Sequence, residues 1–404
     1  MTRKKLWLIT GGAVAVILIA GGIVFALTRS DSTETVEPEP STTTTTTTTI
    51  PLPVWPLTGL PDAKANGPAR PAIVVKIDNS PDARPQTGIN EADIVYELLV
   101  EGITRYALVF HSNLVDEVGP VRSARSSDID LVADLSTPLF AWSGANSGVM
   151  GEVAAAARKG LLIDASYDAA SPAYYRSNDR PAPHNLFVRL PQVLELKAPA
   201  DPSNPAPIFV YRKPVVVTPP STTSSTTPST TSKKSTTTTS TIPPITTTTT
   251  TTIPPGAPVS GFSLDFGGVV VDYAWNPVTK GWSRLQVDQS HPRPKSPTLD
   301  SAGVQVSPAN VIVQFINYGT SPSDSRSPMA LTVGSGKMII FSDGRGIAGT
   351  WSRPNAETPT SYVANDGTPI ELTPGRTWVA LPRAGSSITM LDQATADAYL
   401  AIKG

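Results

Sequence analysis

The chain has 404 residues, a net charge of −1 and only 16% charged residues, so it exerts no global electrostatic pull on nucleic acid or an anionic membrane surface. Cysteine is absent, which excludes disulfides, thiolate metal sites, a cysteine nucleophile and a lipobox cysteine. Three histidines without ligand spacing give no basis for a metal site, and no cofactor motif is present.

Basic residues Arg3, Lys4 and Lys5 form a short tail at 1–5, expected to be cytoplasmic. Residues 6–27 follow as an uncharged apolar run of roughly 33 Å as a helix, enough to span a bilayer. Ala26-Leu27-Thr28 is a poor small-x-small cleavage site, so the run reads as a retained transmembrane helix with everything after it outside the membrane. Residues 28–54 form a Thr/Pro-rich stalk, and residues 212–257 a second Ser/Thr/Pro-rich tract. Neither has the apolar content to offset the entropy of ordering, so both are expected to be disordered.

Between the tracts, residues 55–211 are expected to be an α/β domain. Apolar β-rich runs at 73–77, 93–99 and 106–111 read as strands. Ser126 or Ser127 is placed to cap a helix. A strand at 139–142, a loop at 143–148, an alanine-rich helix at 149–159 and a strand at 161–164 have the spacing of a βαβ crossover. Residues 258–404 are expected to form a β-rich domain, with strands near 269–275, 282–287, 310–317, 337–341, 347–352 and 377–381. Asp343-Gly344 and Asn365-Asp366-Gly367 are turn signals, and the pattern suggests a sandwich or half-open barrel. The fold class is therefore α/β or α+β: a mixed-sheet N-terminal domain with a βαβ crossover, a β-rich C-terminal domain and an N-terminal transmembrane helix.

The polar residues cluster at strand ends between 70 and 130, with a further loop at 181–185. Asp78 and Asn79 end a buried strand, where open sheets bind ligands, although an Asx-turn would place the same residues there. Arg122 and Arg125 precede a helix; their guanidinium forks suit a carboxylate or phosphate, or pair internally with Glu97, Glu101 or Asp128. Glu97 and Glu101 share a strand face and offer a carboxylate pair for glycoside hydrolysis, unless Thr104 and Arg105 fold back on them. His184 reads as a hydrogen-bonding loop residue; a Ser-His-Asp triad on it would lack the Gly-x-Ser-x-Gly elbow.

Longer motifs carry a family resemblance. The run from Arg70 through Asp78-Asn79, Arg84 and Gln86, then Ala92 to Glu97, Glu101 to Arg105, Gly119 to Arg125, and Ala182-Pro-His184-Asn185-Leu resemble the YerB-like bacterial envelope lipoproteins. So do Asn310 to Gln314, Gly349 to Arg353 and Pro374 to Trp378 in the second segment. The resemblance implies two domains, an extracytoplasmic location and no established reaction. A transmembrane anchor here stands in place of the lipidated cysteine usual in that family.

The sequence thus points to a membrane-anchored envelope protein, non-catalytic, binding an anionic ligand or a cell-wall or envelope partner, and not nucleic acid. Its expected ligand-binding residues are Asp78, Asn79, Arg84, Gln86, Glu97, Glu101, Arg105, Arg122, Arg125, His184 and Asn185. The alternative is a cell-wall hydrolase using Glu97 and Glu101 as acid and base.

Overall fold

The computed structural model describes residues 53–62, 68–213, 255–286 and 295–402. The apolar run at 6–27, nearly all of the stalk, most of the second tract and His291 lie outside the described residues. Among the described residues no helix is long and apolar enough to cross a membrane.

Three strands open the first segment: β1 (Ile73–Ile77), β2 (Ile94–Leu99) and β3 (Thr104–Phe110), all buried along their whole length. Both faces of each are covered, which is why they read as near-continuous apolar runs. β3 lies antiparallel between β1 and β2. After α1 (Ser126–Val132) come β4 (Leu139–Ala141), α2 (Ser147–Arg158) and β5 (Ile163–Asp164). β4 is parallel to both β1 and β5, so the expected crossover is present. β6 (Tyr174–Arg176), β7 (Leu186–Val188) and α3 (Leu190–Lys197) complete this segment.

The helix starts differ from the sequence reading. α2 begins at Ser147 because Asn146, read as loop, caps it by accepting the Val149 N–H at 2.9 Å. Val149, Val153 and Ala156 bury one face, and Gly160 follows at φ 76°, the left-handed region where a side chain is strained. At α1 neither serine is the cap. Ser126 is already helical, and Asp128 Oδ2 accepts the Arg125 N–H at 2.8 Å instead.

The second segment opens with β8 (Ala257–Pro258), β9 (Gly261–Asp265), β10 (Val270–Asn276), β11 (Gly281–Gln286) and β12 (Ser296–Pro297). β13 (Asn310–Gln314) precedes the hairpin of β14 (Asn317–Ser321) and β15 (Asp324–Leu331). β16 (Gly334–Ser342) and β17 (Arg345–Arg353) are joined through Asp343 at φ 50° and Gly344 at φ 67°. Two positive φ values make the turn that matches strand twist. A Cβ on Gly344 would also lie 2.6 Å from Trp275 Nε1, so the turn packs against the neighbouring sheet. β18 (Ser361–Ala364), β19 (Thr377–Leu381), β20 (Ile388–Leu391) and α4 (Gln393–Leu400) end the chain; β9, β20 and α4 carried no sequence signal that was read.

The second segment stacks two sheets as expected of a sandwich, but the larger sheet is shared with the first segment. β19 lies between β13 and β2 and is parallel to both, pairing Thr377 with Ile94 and Ala380 with Glu97. One eleven-stranded sheet therefore runs through both segments. β19 is buried on both faces, so it needs a strand on each side, and the first segment supplies one. A second, five-stranded antiparallel sheet, β12-β11-β10-β9-β20, covers one face of the large one. There Phe262 stacks on Phe341 at 3.7 Å, and Tyr273 and Trp282 join Ile73, Val75 and Leu108 in one core. On the other face Leu131, Val132, Val149 and Val153 of the helices cover Val74, Ala107 and Val109.

The second Thr-rich tract leaves and rejoins this structure at one place. Its flanking residues Arg212 and Pro255 line a single cleft of about 680 Å³ with Gly346, Ile347 and Ile370. Tyr211 bridges Leu372 just inside it.

Candidate functional site

Side chains alternate across a strand, and this divides the polar cluster of the first segment between two faces of the sheet. On β1, Val75 and Ile77 point into the core beneath the five-stranded sheet, and Asn79 continues that face. Lys76 and Asp78 point the opposite way, towards α1. On β3, Thr104 takes the first face and Arg105 the second. The two faces carry polar networks of different character.

On the first face, Glu97 is fully buried and both its oxygens are engaged. Oε1 accepts from Arg284 Nη2 and from Thr104 Oγ1, each at 2.8 Å, and Oε2 accepts from Trp378 Nε1 at 2.9 Å. Arg284, also fully buried, donates from Nη1 to Gln286 Oε1 and Thr298 Oγ1 at 2.8 Å and lies over the Trp378 ring. Asn79 Nδ2 donates to Thr104 Oγ1, while Arg84 Nε and Gln86 Nε2 each donate to Asn79 Oδ1 at 3.1 Å. Asn79, Arg84, Gln86 and Glu97 therefore belong to a cross-segment core network. A buried charge is tolerated only when paired and hydrogen-bonded, and this one is.

On the second face, Lys76 Nζ meets Asp128 Oδ1 at 2.6 Å with both side chains fully buried. Arg122 Nε lies 3.0 Å from Asp78 Oδ2, whose carboxyl is also 2.9 Å from His184 Nδ1. Asp78 Oδ1 accepts the Ser80 N–H at 3.0 Å, the Asx-turn anticipated for this strand end. Burial pushes the Asp78 carboxyl up, but the Ser80 N–H, Arg122, Arg105 and His184 outweigh it and hold it below the ordinary value. Arg125 forks onto Glu101, Nε to Oε1 at 2.9 Å and Nη2 to Oε2 at 3.0 Å, and its Nη1 donates to Ala124 O. Burial pushes the Glu101 carboxyl up as well, yet the Arg125 fork brings it down to about 2.

Arg105 sits among these groups without a matching partner. Its residue is 7% exposed, and its Nε and Nη1 have no hydrogen-bond partner among the described residues. The nearest ion-pair contact is Nη2 to Glu101 Oε2, at 3.9 Å. Burial, then the neighbouring Arg125 charge, lowers its pKa to about 10. Four cations, Lys76, Arg105, Arg122 and Arg125, thus face three carboxylates, Asp78, Glu101 and Asp128. The excess is one positive charge, leaving His184 out of the count.

The anticipated catalytic constellations are not assembled. Glu97 is sealed beneath one face and Glu101 is forked to an arginine on the other, so the two do not flank a common cleft. Asp78 Oδ2 and Ser80 Oγ both approach the same His184 nitrogen, Nδ1, at 2.9 and 3.1 Å. A triad needs the serine and the aspartate on opposite ring nitrogens. Asn185 serves its own hairpin, accepting from Arg176 Nη1 and donating to Ser177 O. Lys76 and Arg284 were missed as network members, and Asp128, weighed as a partner for the arginines, pairs with Lys76 instead. Lys76 and Arg284 each lie in a strand that is otherwise buried, a pattern that demands a buried counter-charge.

Comparison with known proteins agrees with the architecture. Residues 57–203 match the model described as "Protein of unknown function (DUF3048) N-terminal domain", and residues 262–379 match its C-terminal domain. "Putative lipoprotein YerB" of Bacillus subtilis (strain 168) is 37% identical over 136 residues, 33% of this chain and 39% of that protein. The crystal structure of YerB from Bacillus subtilis superimposes with a TM-score of 0.60 over 83% of this chain and 99% of that one. At 21% identity that likeness shows the shared fold alone. With both domain models matched in order on the two halves of one sheet, the chain belongs to the DUF3048 family.

Proposed function

We propose that this is a non-catalytic, membrane-tethered protein of the cell envelope that binds an anionic ligand through Arg105, Arg122 and Arg125. The observation that carries the reading is Arg105: a residue only 7% exposed, whose guanidinium makes no hydrogen bond among the described residues, beside two more arginines. An unpaired buried charge costs free energy, and an anion shared between guanidinium forks would offset it. Asp78 and His184 orient Arg122 at the edge of the cluster. The location is supported by the basic tail and apolar run at 1–27 and by the printed name of the Bacillus relative.

The test is retention on purified anionic wall fragments by the wild type and by Arg105→Gln. The wild type should be retained at low salt and released as salt rises, because the cluster is partly open. Arg105→Gln should pass through unretained. Equal retention of the two proteins would sink the reading.

A further inference from the structure

Glu101 stands at the mouth of the arginine cluster, and it is the most exposed of the three carboxylates there, at 35% against 1% for Asp78 and 0% for Asp128. It occupies both outward donors of Arg125, which has no other use for them, since Nη1 is already given to Ala124 O. Its other side lines an open cleft of about 470 Å³ with Gly102, Tyr318, Ser327, Arg326 and Arg383. Arg383 lies over the Tyr318 ring at 4.9 Å and has no carboxylate within ion-pair distance among the described residues. Arg326 is 88% exposed, with Asp324 at 3.5 Å as its ion-pair contact. A carboxylate leaving Arg125 therefore has two cations to turn towards.

We propose that Glu101 is a built-in competitor, and that the ligand is a phosphomonoester whose phosphate displaces it from Arg125. The proposal rests on the anion-binding reading above and names the ligand class for the same site. Charge matching selects the class. With Glu101 in place the cluster carries an excess of one positive charge; without it the excess is two. A phosphomonoester carries about −1.5 to −2 at neutral pH, whereas a carboxylate or phosphodiester carries −1. Only the former neutralises the opened cluster. Three terminal oxygens also allow simultaneous bonds to the Arg125 fork and to Arg105 Nη2, which lies 3.9 Å from the Glu101 oxygen that the phosphate would replace. Glu101 sets a threshold: an anion too weak to displace it is excluded.

Calorimetric titration of the detergent-solubilised full chain tests this with inorganic phosphate, glucose 6-phosphate and acetate. Both phosphates should bind the wild type, and Glu101→Gln should tighten them about tenfold, as expected for removing a negative charge near 4 Å from the ligand. Acetate should bind weakly in both. Preference for glucose 6-phosphate over inorganic phosphate would assign the cleft to the ester's alcohol, whereas equal affinity would mean free phosphate suffices. Phosphate binding unchanged by Glu101→Gln overturns the competitor and leaves anion binding intact. Retention on wall fragments without phosphate binding overturns the ligand class. Absence of both removes the proposal together with the reading beneath it. Should Glu101→Gln melt early, Glu101→Asp keeps the charge on a shorter arm and should tighten phosphate about threefold through its weaker fork.

Discussion

The two faces of the central sheet carry the same kinds of residue to opposite ends. Beneath the five-stranded sheet, Arg284 donates three hydrogen bonds at 2.8 Å and Glu97 accepts three. Under the helices, Arg105 is nearly as buried and donates none among the described residues. Both arginines lie on strands of the same fold. The difference is counter-charge: the first network draws donors and acceptors from both segments until its charges are matched, though Arg284 Nε has no hydrogen-bond partner among the described residues, whereas the second stops one anion short. A closed buried network is a structural device. One that stays open holds free energy that a ligand can release.

The largest expected effect breaks the closed side. Arg284→Met should strand Glu97 as an uncompensated buried carboxylate and cost about 3–5 kcal/mol in chemical denaturation. Phosphate affinity of the remaining folded protein should be unaltered. A loss below about 1 kcal/mol would show that the network is not closed in solution.

The open side should respond in the opposite sense. Arg105→Gln removes a buried charge held only by a long 3.9 Å contact with Glu101, so stability should hold or rise by about 1 kcal/mol while anion binding disappears. Arg122→Lys and Arg125→Lys keep the charge but lose the planar fork, so binding should weaken and the fold survive. Thermal melts of the three variants decide the point; a collapse of the fold with Arg105→Gln would make this face structural too.

Titration sharpens the contrast. Glu101 has its carboxyl brought from 4.5 down to about 2, so its stabilising contribution is complete above pH 4.5 and fades as pH falls towards 2. Urea unfolding followed over that window should show a shallower acid decline for Glu101→Gln than for wild type. Parallel profiles would mean that the Arg125 fork is not maintained in solution.

The smallest effect concerns the second Thr-rich tract. Deleting residues 221–252 should shift stability by little, since loop closure changes by about 0.6 kcal/mol per doubling of length. Proteolysis within the tract should leave two fragments that elute together, because β19 stays paired with β2. Separation of the fragments without denaturant would contradict the shared sheet.

Much of the local architecture was legible. Buried strands such as 73–77 and 377–381 announce themselves as apolar runs, and the 139–164 spacing yields its parallel crossover. The arginines, Asp78 and Glu101 were legible as a cluster because charges at strand ends are rare enough to notice. Arg125 on Glu101 and Thr104 on Glu97 were among the pairings considered, but which of the possible partners each charge takes could not be read. Glu97 and Glu101 are even-spaced and looked like partners on one face, but β2 ends at Leu99 and the turn beyond it frees Glu101 to reach Arg125. Beyond Thr104, the partners of Glu97 are Arg284 and Trp378, 187 and 281 residues away.

By itself the sequence determined most of the longer elements, because periodicity acts over a few residues and is written locally; β9, β20 and α4 escaped it. It also determined the composition of the polar cluster. Only the tertiary structure decided that β19 slots between β13 and β2, since any doubly buried strand will accept any neighbour with the right edge. That placement brought Trp378 onto Glu97, while Arg284 reached the same carboxylate from the covering sheet. Glu97 was neutralised and Arg105 was not, because strand alternation put them on opposite faces and only one face received a counter-charge for every buried arginine.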